Sequence, residues 1–230
     1  MKKHMLALAI VLAPLSANAS ELGYTHVELG YTKGYFDNLL DDGDIAPRGG
    51  YLNGSIELGK TPFHLFGGYR QGGDSESLNL YESNSSYHAN YDYDIKQYHV
   101  GVGFRHEFND QLNLLVETSY HYAKHNLELN ARQVTNGVSE AIEIPDVRFN
   151  ADDLRVGVGV DALLAPALEG WAKVHFTKGD STESGNGNNN GDFGGTVGMQ
   201  YKFNPTWGVT GQVEYSSDVT VYGVGVRASF

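Results

Sequence analysis

The sequence predicts an all-β fold, a transmembrane antiparallel up-and-down β-barrel of ten strands, with eight as the alternative count. Three observations carry the prediction. The terminal stretch alternates strictly, with Tyr222, Val224, Val226, Ala228 and Phe230 on one parity and Gly223, Gly225, Arg227 and Ser229 on the other, the period of an extended strand with one apolar face. A strand that runs to a final aromatic residue suits a barrel whose last strand must pair with its first, leaving no edge in lipid. Second, residues 1–19 read as a secretory signal: Lys2, Lys3 and His4, an apolar run, then Ala17-Asn18-Ala19. Third, long and short connections alternate along the chain, the asymmetry of outer-membrane barrels.

Composition narrows the functional classes. The 230 residues divide into the signal peptide, 1–19, and one barrel, 20–230. The formal net charge of −12 argues against nucleic-acid binding. The absence of cysteine excludes disulfides and thiolate metal sites, and no cofactor or metal is expected. No segment reads as a transmembrane helix, so a membrane role must rest on strands. Their alternation keeps average hydrophobicity low even when half the side chains face lipid.

Taken in order, the first strand is read over 24–33, with Thr25, Val27, Leu29 and Tyr31 sharing a face. An acidic stretch follows, with Asp37, Asp41, Asp42 and Asp44. Strands at 51–59 and 63–70 flank a turn at Pro62, which cannot donate to a ladder. Residues 71–90 read as a polar separation. The next strand sets Tyr98, Val100, Val102 and Phe104 against His99, Gly101, Gly103 and Arg105. After a turn near Asn109-Asp110, Leu112, Leu114, Val116, Thr118, Tyr120 and Tyr122 mark another. The longest connection, 124–150, contains Asn136-Gly137, a hairpin signal that lets two strands project past the membrane. Leu154, Val156, Val158, Val160 and Ala162 then oppose Arg155, Gly157, Gly159 and Asp161. Ala172, Val174 and Phe176 oppose Trp171, Lys173 and His175. The Asn/Gly-rich run 179–192 reads as linker. Strands led by Phe193, Val197, Met199, Tyr201 and Phe203, and by Trp207, Val209, Val213 and Tyr215, flank the Asn204-Pro205-Thr206 turn and lead to the terminal strand.

The glycines decide which face looks inward. Gly101, Gly103, Gly157, Gly159, Gly223 and Gly225 share the polar parity with arginines. On an open solvated face glycine only weakens a strand, whereas in a narrow lumen it makes room for long neighbours. The polar parity therefore reads as lumen. It carries a charge network of Glu28, Glu57, Glu117, Asp161 and Glu214 with Arg70, Arg105, Arg155, Lys173, Lys202 and Arg227, expected to pair within the barrel. Phe63, Phe104, Phe203, Trp207 and Phe230 suit a periplasmic girdle, and Tyr31, Tyr69 and Tyr122 the outer one.

The segments Phe63-His-Leu-Phe-Gly-Gly-Tyr69 and Lys202-Phe-Asn-Pro-Thr-Trp-Gly208, with the terminal strand, resemble the small Gram-negative outer-membrane barrel family once proposed as an activator of plant immunity. The likeness covers most of the mature chain and marks strands and turns, so it implies the barrel and no catalytic residue. The tail Tyr222, Val224, Val226, Ala228 and Phe230 is similar to the terminal signal read by the outer-membrane assembly machinery.

The function expected is a non-enzymatic, monomeric outer-membrane barrel with a structural, adhesion or recognition role through surface loops. Its partners are outer-membrane lipid, lipopolysaccharide and, during biogenesis, the assembly machinery. Loops would be extracellular and both termini periplasmic. A porin-like, narrow channel for ions or small solutes is the alternative, and an outer-membrane hydrolase the second. For the hydrolase the candidates are Ser119 with His121, or His88 with Asp92 and Asp94, since a nucleophile needs its base beside it. The lumenal His64, His99, His121 and His175 lack close ligand spacing, and the four aspartates of the first connection lack that of a calcium loop.

Overall fold

The computed structural model describes residues 22–40, 43–82, 85–135, 138–179, 191–216 and 219–230. The expected signal segment, Asn136-Gly137, most of the run 179–192 and the side chains of Asp37, Asp41, Asp42 and Asp44 lie outside the described residues. The strands are β1 (His26–Leu40), β2 (Gly43–Ile45), β3 (Arg48–Glu57), β4 (Phe63–Glu82), β5 (Ser85–Asn109), β6 (Leu112–Thr135), β7 (Val138–Glu143), β8 (Val147–Ala165), β9 (Leu168–Gly179), β10 (Asp192–Lys202), β11 (Trp207–Ser216) and β12 (Val219–Ser229). Ten of them close a ring in which every neighbour is antiparallel. The short β2 pairs with β1, and the short β7 with β6.

Closure is made by β1 and β12, in register from His26↔Ser229 to Phe36↔Val219. Beyond the last pair, the Phe230 amide donates to the Thr25 carbonyl at 2.9 Å. The seam needs a close approach at Gly30. A β-carbon there would lie 2.3 Å from the Val224 carbonyl oxygen and 2.5 Å from the Tyr51 ring. Gly211, on β11, has no atom within 4 Å of the same construction. Elsewhere the lumenal glycines receive rings from other strands: His64 and Phe66 of β4 fill the space over Gly103 and Gly101 of β5, and Tyr51 of β3 reaches across β1 to Gly225 of β12.

The outer face is apolar around the whole ring. Leu29 is 63% exposed, with Val100, Val158, Val174, Val197 and Val224 also exposed on their strands. A continuous apolar band of this kind far exceeds the few hundred Å² that a water-soluble monomer leaves uncovered. Among the described residues no helix is long and apolar enough to cross a membrane; strands do the crossing. Phe63 packs on Phe104 at 5.5 Å near the short turns. Tyr69 and Tyr98 (4.9 Å) and Tyr98 and Tyr122 (6.4 Å) form a tyrosine row towards the other end.

One sequence expectation needs correction here. Residues 71–90 are not a polar separation, because β4 runs to Glu82 and β5 begins at Ser85. The connection 124–150, where the hairpin signal predicts projecting strands, is mostly strand, shared among β6, β7 and β8. The reason is an inversion of polarity along β5 and β6. On β5 the even positions Tyr98, Val100, Val102 and Phe104 are exposed and apolar, whereas Asp92, Asp94 and Lys96 on the same face are polar. The odd positions change in the opposite sense, from lumenal His99 to buried Ile95, Tyr93 and Tyr91. Strands of about ten residues suffice to cross a bilayer; β5 has 25 and β6 has 24. The excess forms a projecting sheet whose inner face packs Tyr91, Tyr93 and Ile95 with Leu127, Leu129, Phe36 and the fully buried Ile45. Tyr91 donates towards Asp74 and Glu76, and burial together with these carboxylates pushes its phenol up to about 12, so it remains a donor.

Gly30→Val is expected to block seam closure, giving no heat-modifiable band on a refolding gel. Gly211→Val, with open space around it, is expected to fold as the parent does.

Candidate functional site

The lumen is the one place where the described polar side chains converge from all around the ring. At the end with short turns, Tyr24 enters from just before β1. Its hydroxyl donates to Asp161 at 2.6 Å and accepts from Asn113 at 3.2 Å. Its ring stacks on His64 at 5.0 Å and carries the Arg105 guanidinium at 5.1 Å. Arg105 in turn donates to Glu57 at 2.7 Å, and Glu57 also accepts from the Tyr24 amide at 3.0 Å.

Across the seam, Arg227 of β12 grips Glu28 of β1 with Nε and Nη2, each at 2.7 Å from Oε2. The Tyr51 hydroxyl donates to the other oxygen of Glu28 at 2.5 Å, and the Arg227 guanidinium lies 4.9 Å from the Trp171 ring centre. Glu28 is only 1% exposed. Lys173 donates to Glu117 at 2.8 Å, and His64 Nε2 lies 3.5 Å from the same carboxylate. Higher up, Glu214 accepts from Arg155 at 2.6 Å and from Arg70 at 3.2 Å. Lys202 pairs with Glu169.

All eleven charged positions named from alternation therefore sit on the lumenal face, and each of the six cations has a carboxylate partner. Asp161 stands apart, held by the Tyr24 phenol rather than by a cation. Sequence reasoning missed three kinds of partner. Glu169 lies at the start of β9, before the stretch read as strand. Tyr24 and Tyr51 act as phenol donors although both fall on the polar parity, the signal that would have found them. Leu115 is an apolar side chain on the lumenal parity, 1% exposed. Alternation cannot supply the pairing itself, since it fixes faces and not heights.

Between these layers a cavity of about 290 Å³ remains, lined by Arg70, Arg155, Lys173 and Arg227 and by His26, His99, His121 and His175. His99 and His121 stack at 5.3 Å, and Ser119 Oγ lies 2.9 Å from His121 Nε2. That Ser–His contact faces the lumen, away from lipid. His88, Asp92 and Asp94 lie on one face of the projecting β5, spread over roughly 20 Å at about 3.4 Å per residue, too far for one centre. Among the described residues no group of three His, Asp or Glu side chains could hold a metal ion.

The terminal residues are placed as follows. Tyr222, Val224 and Val226 face outwards and are exposed. Ala228 shares their face but is only 4% exposed, a methyl group between its larger cross-strand neighbours Trp207 and Val27. Phe230 lies beyond the strand and is half-buried.

No protein-family model and no curated protein matches the chain. Among solved structures, it is similar to the attachment invasion locus protein Ail of Yersinia pestis (17% identity, 90% of this chain and 99% of that one, TM-score 0.38). It is also similar to the KdgM porin (16%, 88% and 99%, TM-score 0.41) and to Neisserial surface protein A (10%, 94% and 100%, TM-score 0.39). Scores this low say nothing about role, and the fold rests on the strand pairing of the chain itself. The specific family likeness read from the sequence gains no support.

Removing one side of a buried ion pair leaves a naked charge, at a cost of about 3–5 kcal/mol. Arg227→Leu is expected to lower the urea midpoint of the folded band accordingly. The double variant Glu28→Leu/Arg227→Leu is expected to recover most of that loss.

Proposed function

We propose that this chain is a non-enzymatic outer-membrane barrel whose projecting sheet serves recognition or adhesion at the cell surface, the lumen being a structural core. The observation that carries this reading is the polarity inversion on β5 and β6. Below it the strands are dressed for lipid outside and charge inside. Above it they are dressed for water outside and carry an apolar core of their own. A rigid sheet of this kind costs little entropy to present to a partner, unlike a flexible loop. In this orientation the projecting end is extracellular, and the short turns with both termini are periplasmic.

A second reading is supported by the cavity of about 290 Å³: a narrow channel for ions or small solutes, with the paired charges as its constriction. Planar-bilayer recording separates the two. The first reading expects silence at moderate voltage, and reproducible unitary steps would establish the channel instead. A hydrolase is disfavoured because the Ser119–His121 contact faces the lumen, where an acyl chain in lipid does not reach.

The terminal strand, with Tyr222, Val224, Val226, Ala228 and Phe230, is assigned the further role of assembly signal. Deleting Phe230 is expected to lower outer-membrane yield far more than removing the top of the β4–β5 hairpin. Equal yields, read by fractionation and immunoblot, would remove that role.

A further inference from the structure

Charge is treated differently on the two faces of this barrel. Every lumenal cation in the network has a carboxylate, but four cations at the outer rim do not. Lys33 on β1 stands directly opposite Arg48 on β3, and Lys96 on β5 directly opposite Lys124 on β6. All four belong to the outward parity. Lys33, Lys96 and Lys124 each lie two residues beyond an outward tyrosine, Tyr31, Tyr98 and Tyr122. Lys33 and Lys124 lean on aromatic rings, with Nζ 4.5 Å from the Tyr35 centre and 5.6 Å from that of Tyr122. Among the described residues none of the four forms an ion pair. Like charges directly opposite on neighbouring strands are destabilising, and two such pairs flank β4 in a chain of formal net charge −12.

Between the pairs the outer wall is indented. A cleft of about 380 Å³ opens along β3 and β4, with Leu29, Leu52 and Tyr69 at its lower end and Arg48 and Gln71 at its upper end. The indentation exists because Gly50 and Gly73 present hydrogen where the outward face would otherwise carry side chains. A β-carbon on Gly50 would meet only the Gly30 carbonyl oxygen, at 3.6 Å, so a side chain would fit and the space is open. The Tyr69 hydroxyl donates to Gln71 at 2.7 Å, closing the polar end. Among the described lining residues the only carboxylate is Asp94, two residues above Lys96 on the same face. An apolar floor rising to unpaired cations at headgroup level matches an amphiphile lying along the wall, acyl chain down and anion up. Arg48 and Lys96, the nearest members of the two pairs, lie two strand spacings apart across β4 and two residues apart along it, about 12 Å, the reach of a headgroup with two separated phosphates rather than one.

We propose that this cleft binds an acylated glycolipid of the outer leaflet that carries two phosphates, held by Lys33 with Arg48 and by Lys96 with Lys124. The proposal rests on the outer-membrane reading above. The test is native mass spectrometry of the full mature barrel released from detergent, with three probes: lipid A, its dephosphorylated form, and phosphatidylglycerol. Each sample is first shown to be heat-modifiable. The parent is expected to retain one lipid A and neither of the others. Lys33→Ala/Arg48→Ala is expected to weaken retention roughly 25-fold, two cations at about 1 kcal/mol each converted at about 1.4 kcal/mol per tenfold. Gly50→Leu, which fills the cleft and leaves every charge in place, is expected to lose the lipid as well, whereas Lys60→Ala at a short turn is expected to change nothing. Unchanged retention in both cleft variants, or equal retention of phosphatidylglycerol or dephosphorylated lipid, overturns the proposal. A heat-modifiable barrel that retains no lipid A also overturns it and leaves the barrel reading standing.

Discussion

In hydrocarbon a backbone amide or carbonyl has no water to turn to, so a sheet that crosses it must have no edge. The pairing of β1 with β12 meets that constraint, and much of the remaining architecture follows from it. Closing ten strands into a ring leaves an interior too wide for backbone alone. Side chains must fill it, and in this chain they are charged. Burying a charge is tolerable only when it is paired and hydrogen-bonded. The six cations and their carboxylates are therefore a condition of closure as much as a decoration of the lumen. Glycines beside rings, as at Gly103 under His64 and Gly101 under Phe66, are the steric counterpart, making room where two strands would otherwise crowd.

The second organising influence is the surroundings. The pleat of β5 is continuous, yet its inside and outside exchange polarity between Tyr98 and Ile95. The backbone does not change there; what changes is whether lipid or water lies outside. The tyrosine row of Tyr69, Tyr98 and Tyr122 sits at this boundary, where a ring with a polar tip is at home. The Tyr91, Tyr93 and Ile95 core then gives the projecting sheet a stability of its own.

How much of this was legible in the sequence depended on which rule was locally true. Alternation located the ten barrel strands and sorted their faces, because lipid outside and charge inside is a period-two pattern. The same rule failed across residues 71–90, where apolar positions switch parity and a reader following one face meets only polar residues. It also left the pairing unread. That Glu28 faces inward follows from its parity; that Arg227 meets it, that Tyr51 caps it, and that Lys202 chooses Glu169 follow from strand stagger and side-chain length. The cleft of the outer wall was invisible for a related reason. Gly50 reads as one more glycine in a strand until its neighbours Arg48, Leu52 and Gln71 are set around it.

The Glu28–Arg227 pair has one more consequence. Its two members belong to the first and last strands of the chain, so neither meets the other until the seam between them is closed. A sheet stalled one strand short would present an anion along one margin and a cation along the other, and hydrocarbon would reject both. Completion and solubility in the bilayer thus become a single event. The pair ties the neutralisation of two buried charges to the closing of the β1–β12 seam.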